Sequence, residues 1–188
     1  MDLDRELSTN RKADEGNGGG RKRGDSNKKR RTGADSGASE EKEVTVVIPN
    51  EFIGSLIGTS GRGIRRLQYQ AHTTIKCSGP DDFFPGTKSR KVTLLNESIA
   101  SLDAALSLIC LVVAQDYPEK FREIAIVIPE SEAGRMIGKG GATIQTFRDN
   151  CEHCELTDAE NGERLLVIYG DILQMTKTAR MALECLLK

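Results

Sequence analysis

Val47-Ile48-Pro49 is followed nine residues on by Gly58-Thr59-Ser60-Gly61-Arg62-Gly63-Ile64, and the pattern returns as Ile128-Pro129 with Gly138-Lys139-Gly140-Gly141-Ala142-Thr143-Ile144. The two occurrences lie 80 positions apart. Their register holds through Ile48/Ile128, Pro49/Pro129, Gly54/Gly134, Ile57/Ile137, Gly58/Gly138, Gly61/Gly141 and Ile64/Ile144, with Leu67 against Phe147. That period is too long for a solenoid unit and suits a small domain. The chain therefore divides into a tail, residues 1–42, and two copies of one module, residues 43–117 and 118–188. Each copy has roughly 70 residues, enough to bury a single core.

Both copies spell the same elements. Residues 43–49 are rich in β-branched residues and stop at a proline, which predicts a strand. Asn50 and Glu51 open a short helix carrying Phe52, Ile53, Leu56 and Ile57. Gly58-Thr59-Ser60-Gly61 is turn chemistry and interrupts it. Helical spacing resumes with Ile64, Leu67 and Ala71, on a segment bearing Arg62, Arg65 and Arg66. Residues 74–77 and 90–95 read as strands on either side of a loop, and residues 97–114 as a long helix. In the second copy, strands are expected over 124–128, 154–157 and 164–168. Its helices are expected after Ser131, over 143–150, and from Ile172 to the end. The order is β-α-α-β-β-α twice, an α+β fold.

Composition narrows the function classes. Formal net charge is −1; the first copy balances 7 basic with 7 acidic residues, and the second has 9 against 12. Any affinity for phosphate must therefore be local rather than a property of the whole domain. The five cysteines are Cys77, Cys110, Cys151, Cys154 and Cys185. An odd number, with Asp2 and Asp4 after Met1 in place of a signal sequence, predicts reduced thiols in an intracellular protein of the nucleus or cytoplasm. The apolar run over residues 102–114 is too short to span a bilayer and carries Asp103, so no membrane is expected. Cys151-Glu152-His153-Cys154 is half a zinc site with no second pair near it, so neither metal nor cofactor is expected. The chain's two histidines supply no paired nucleophile, base and oxyanion set, so an enzyme is not expected.

The tail is rich in glycine and charge and lacks core-forming side chains, which predicts disorder. Arg21-Lys22-Arg23 and Lys28-Lys29-Arg30-Arg31 form two basic clusters, a candidate nuclear-localisation signal or auxiliary RNA contact.

The doubled motif resembles the type I KH domain, as found in the group of poly(C)-binding protein, hnRNP K and Nova. The Ile-Pro strand end, the G-x-x-I-G-x-x-G spacing and the apolar residue that follows occur twice with matching strands, and cover about residues 43–188. The resemblance implies two modules, each a three-stranded antiparallel sheet packed on three helices. It implies that each G-x-x-G loop, Gly58-Thr59-Ser60-Gly61 and Gly138-Lys139-Gly140-Gly141, clamps the backbone of single-stranded RNA. The bases would lie in a groove between the first two helices and the second strand. In the first copy the implied groove residues are Ile53, Gly54, Ser55, Ile57, Ile64, Arg65, Gln68, Ile75, Cys77 and Arg90. In the second they are Ala133, Gly134, Arg135, Ile137, Ile144, Gln145, Arg148, Leu156 and Arg164. The group's arginines at the second helix and third strand read cytosine edges, which implies short pyrimidine-rich or C-rich sites and a post-transcriptional role.

Each copy departs from the family in one respect. The first loop lacks the family's usual basic residue, for which Arg62, Arg65, Arg66, Lys88, Arg90 and Lys91 in the same module are the expected compensation. The second has Lys139 but is followed by Glu152, Glu155, Asp158, Glu160 and Glu163. The rival expectation is a protein-interaction or dimerisation scaffold in which a copy no longer binds RNA. A homodimer and other RNA-regulatory proteins are the partners that reading brings, and single-stranded DNA is the close chemical alternative to RNA. Low aromatic content, 4% of residues, argues against folds that stack bases on exposed rings.

Overall fold

The structure is a computed structural model describing residues 40–158 and 160–188. The tail clusters from Arg21 to Arg31 lie outside the described residues. The first module runs β1 (Lys42–Pro49), α1 (Asn50–Ile57), α2 (Arg62–Ala71), β2 (Thr74–Cys77), β3 (Ser89–Asn96) and α3 (Ile99–Asp116). The second runs β4 (Glu123–Pro129), α4 (Glu130–Ile137), α5 (Ala142–Arg148), β5 (His153–Leu156), β6 (Glu163–Tyr169) and α6 (Ile172–Leu186). This is the expected β-α-α-β-β-α order in both. Asn50 and Glu130 open their helices directly after the prolines, and the last helices are capped by side chains. Ser98 accepts from the Ser101 N–H, and Asp171 forms a reciprocal capping box with Gln174.

Within each module the three strands pair antiparallel, β2-β3-β1 and β4-β6-β5. The modules' sheets also join. β1 and β4 pair antiparallel through Val46↔Ile126 and Val47↔Ala125, making one six-stranded sheet of order β2-β3-β1-β4-β6-β5. Two copies of the same first strand thus meet head to tail, and the edge strands β2 and β5 end up at opposite extremes.

Strand alternation sorts the core. Val44, Val46, Ile48, Val92, Leu94, Ile124, Ile126, Ile128, Leu166 and Ile168 face the helices and join one continuous core with Leu56, Leu67, Leu106, Ile109, Met136, Phe147 and Leu183. The connector belongs to it: Phe121 is buried and meets Phe52 edge-on at 5.6 Å, and Tyr117 lies 4.9 Å from the same ring. α3 is longer than the apolar run within it and is, by length and hydropathy, apolar enough to cross a membrane. Part of its apolar surface is buried inside the fold. It packs against α1, α2, β3 and α6, and Leu102, Ala105, Leu106, Ile109, Cys110 and Val113 are buried.

Candidate nucleic-acid interface

Each module turns from its first helix to its second through the same loop. α1 stops because Gly58 adopts φ 65°, ψ 179°, while its N–H still closes on the Gly54 carbonyl at 2.9 Å. A single 3-10 turn, Thr59–Gly61, reverses the chain, and Gly61 at φ 74° launches α2. In the second module Gly138 has φ 74°, ψ 173°, the turn is Lys139–Gly141, and Gly141 at φ 82° launches α5. The glycine before the turn is forced by packing as well as by φ. A Cβ at Gly58 would lie 2.9 Å from the Gly63 nitrogen, and one at Gly138 would lie 2.2 Å from Thr143 Oγ1. The two helices approach more closely than side chains allow. The Gly61 and Arg62 N–H groups close on the Gly58 and Thr59 carbonyls, as Gly141 and Ala142 do on Gly138 and Lys139, while no side chain caps the N–H groups that follow at the start of α2 or α5. Such converging donors suit a phosphate oxygen. Thr59, Ser60, Lys139 and Gly140 at the tips are exposed.

The residues expected to line the grooves divide into floor and surface. Ile53 and Ile75 in the first module, and Ala133 and Ile144 in the second, are buried in the core. They support a groove from beneath rather than offering surface to a ligand. Ile57, Ile64 and Cys77 are half-buried, as is Leu156, and Ile137 is exposed. Gly54, Arg65, Gly134, Gln145 and Arg148 are exposed, and Ser55 and Gln68 are intermediate. Gln68 Oε1 accepts from the Ile75 N–H at 3.1 Å, and Arg148 Nε donates to the Cys154 carbonyl at 3.0 Å. These two bonds tie the second helix of each module to its edge strand. Gln145 Nε2 donates to Asp149 within its own helical segment. Arg135 donates to the Leu186 carbonyl at 3.1 Å and pairs with Glu132 at 2.9 Å, which holds α4 against the end of α6.

Arg90 and Arg164 occupy matching places, opposite Ile48 and Ile128 in their sheets. Arg90 is buried, and its Nη2 donates to the Ser78 carbonyl just beyond β2. Arg164 Nη1 donates to the Thr157 carbonyl just beyond β5 at 3.1 Å. In both, Nε is buried without a hydrogen-bond partner, a deficit costing about 1–3 kcal/mol. The modules differ in the carboxylates that their arginines meet. Arg164 Nη2 also reaches Glu130 Oε1 at 3.2 Å, whereas the residue equivalent to Glu130 is Asn50. Arg90 has no carboxylate partner among the described residues. The sequence held this signal in the Asn50/Glu130 mismatch, but only the fold places position 130 against the arginine.

The acidic residues of the second module are distributed by the same geometry. Glu152 pairs with Arg122, and Glu155 lies near His153, 3.5 Å from its Nε2. On β5, Cys154 and Leu156 pack toward the helices, which turns Glu155 to the sheet's other face. The thiols stay neutral. Burial pushes Cys154 up to about 12, with Cys151 adding to the rise, and burial raises Cys77 against the pull of Arg90. Cys77 is therefore an apolar, half-buried thiol packed against the core. Among the described residues no three His, Cys, Asp or Glu side chains gather as a metal site.

Comparison with known proteins agrees with this architecture. The KH domain profile matches residues 43–110 and 123–184. The RNA-binding protein Nova-2 of Homo sapiens is 29% identical over 168 residues, 77% of this chain and 34% of that protein. The RNA-binding protein Pasilla of Drosophila melanogaster is 27% identical over 158 residues, 74% of this chain and 20% of that protein. The chain thus spans about a third or less of the length of these relatives. Among solved structures, Dim2p from Pyrococcus horikoshii is 18% identical and covers 76% of this chain and 90% of that one, with a TM-score of 0.31, too loose a likeness to argue from.

Proposed function

The chain belongs to the KH-domain family, with two copies of the module, and from that premise we propose that it is a non-enzymatic single-stranded RNA-binding protein acting in post-transcriptional regulation. The observation that carries the reading is the doubled loop. Two different sequences, Gly58-Thr59-Ser60-Gly61 and Gly138-Lys139-Gly140-Gly141, take the same left-handed turn and lead into a helix start with no side-chain cap. Backbone phosphates enter there, since the absent Cβ atoms allow close approach. Bases then lie along Ile57, Ile64 and Cys77 in the first module, and along Ile137 and Leu156 in the second. Arg90 and Arg164, at matching places on β3 and β6, supply hydrogen-bond donors for a base edge. A cytosine, with acceptors on its pairing edge, suits such a donor, which supports short C-rich or pyrimidine-rich sites.

The modules are unequal in this reading. The first has an uncharged loop but an arginine with no carboxylate partner among the described residues. The second has Lys139 at the loop but an arginine shared with Glu130. Two linked sites raise affinity when one strand reaches both. Fluorescence anisotropy with oligo(C), oligo(U), oligo(A) and oligo(dC) at two salt concentrations tests the proposal. The expected result is tighter binding of C or U than of A, weakening as salt rises. Equal affinity for all the RNA oligomers would refute pyrimidine preference, and no binding would promote the scaffold reading.

A further inference from the structure

Among the described residues the outer face of the sheet, opposite the helices, carries no helical layer, yet Val47, Ala125, Val127, Leu165 and Val167 on it are buried. Four of these five belong to the second module. They form a cluster with Phe84, which lies in loop 78–88 between β2 and β3 of the first module and is 3% exposed. The loop therefore places an aromatic ring in a cluster whose other members lie on β1, β4 and β6. Its tip continues to the second module's own loop, where a Cβ at Gly86 would come 3.2 Å from Glu160 Oε2.

The same loop is tied to Arg90 and to the start of α1, which the first module's proposed groove uses. Phe83 bridges to Arg90, and the Phe84 N–H donates to the Ser89 carbonyl at 2.8 Å. The Asn50 N–H at the start of α1 donates to the Lys88 carbonyl at 3.2 Å. Ser78, whose carbonyl accepts from Arg90, has its own Oγ fixed by the Lys91 N–H at 3.2 Å. The loop's seat on the second module and the place of Arg90 are thus parts of one hydrogen-bonded segment. We propose that Phe84 is a positioning residue through which the second module's sheet sets the shape of the first module's groove. The RNA grip of the first module then depends on the second even when the second's own loop is disabled. In its functional part this rests on the RNA-binding reading of that groove.

The test uses the full chain in two backgrounds. In one, Lys139→Asp/Gly140→Asp disables the second loop, and in the other Thr59→Asp/Ser60→Asp disables the first. Into each go Phe84→Ala, the milder Phe84→Leu, and Val167→Thr, which lies on β6 and roughens the seat from the second module's side. Amide hydrogen exchange at Phe84, Thr87 and Asn50 is measured beside oligo(C) affinity. The expected result is faster exchange at these amides in Phe84→Ala and Val167→Thr. With only the first module active, affinity falls roughly three- to tenfold, the scale of one preorganised side chain lost, and Phe84→Leu recovers most of it. With only the second module active, affinity stays within about twofold, since no loop of that module is altered. Unchanged exchange in the folded Val167→Thr protein, or an equal loss in both backgrounds, overturns the proposal. If the parent chain binds no RNA, the functional reading fails by itself, while the exchange measurement still decides whether the second module seats the loop.

Discussion

Exchanging the residues at the one mismatch beside the groove arginines should move affinity in opposite directions in the two modules. Glu130→Asn gives the second module the first module's residue, and Asn50→Glu does the reverse. Arg164 meets Glu130 at 3.2 Å, with the two side chains 26% and 53% exposed. At that exposure solvent screens the pair, and its net worth is about 0.2–1 kcal/mol rather than the larger Coulomb energy of a buried pair. RNA must displace or share this carboxylate to engage the guanidinium. Removing it should therefore tighten binding by the second module by about 1.4- to fivefold. Asn50→Glu should weaken the first module by a similar factor, because the new carboxylate can pair with Arg90. Glu at a helix start is favourable to the dipole, so loss of fold is not the expected route. Anisotropy titrations with oligo(C), each with the other module's loop disabled, read both changes. Unchanged or weaker binding by a folded Glu130→Asn protein would refute the claim that Glu130 competes with RNA for Arg164.

Two stability predictions follow from the packing. Phe121→Ala removes a buried ring set against Phe52 where the connector joins the core, and should cost about 3–5 kcal/mol in urea denaturation, lowering the midpoint for the whole described fold. The Cys110 and Cys154 thiols are each pushed from 9.0 up to about 12, chiefly by burial. Below pH 9 both states keep these protons and stability is unaffected. Between pH 9 and 12 the unfolded chain releases them and the folded chain does not, so stability falls by up to about 1.4 kcal/mol per thiol per pH unit. Denaturation at pH 8 and pH 10 should show the drop, and Cys110→Ala should reduce it; a pH-independent midpoint would contradict the burial of these thiols.

The fold was legible because its signals are local and occur twice. A β-branched run ending in proline, a glycine-bounded turn and helical spacing after Ile64 can each be read within about ten residues, and the second copy checks the first. The joining of the sheets was less legible. It depends on two residue pairs, Val46↔Ile126 and Val47↔Ala125, whose partners are far apart in sequence. One signal was present, however. Residues 124–128 and 165–168 are unbroken apolar runs rather than alternating ones, the pattern of strands buried on both faces. Phe84 and the outer cluster supply the second burial. At the groove, residue type located the positions but not their exposure. Ile53, Ile75, Ala133 and Ile144 are floor, while Arg135 turns to the Leu186 carbonyl. An apolar residue at a motif position serves equally well as core or as contact surface, and only the packed fold separates the two. Arg164 and the Glu130 carboxylate illustrate the same limit for charge, since their meeting depends on a strand and a helix start brought together by the sheet.

The most direct measurement is RNA affinity of the full chain after charge is placed in each loop. Thr59→Asp/Ser60→Asp and Lys139→Asp/Gly140→Asp put carboxylates where phosphates are proposed to enter, at exposed tips. Each pair should weaken oligo(C) binding while leaving the far-ultraviolet spectrum unchanged, and the two together should abolish binding that is sensitive to salt. Salt-sensitive binding that survives all four substitutions in a folded protein would contradict the account, because the phosphates would then be held somewhere other than the two loops.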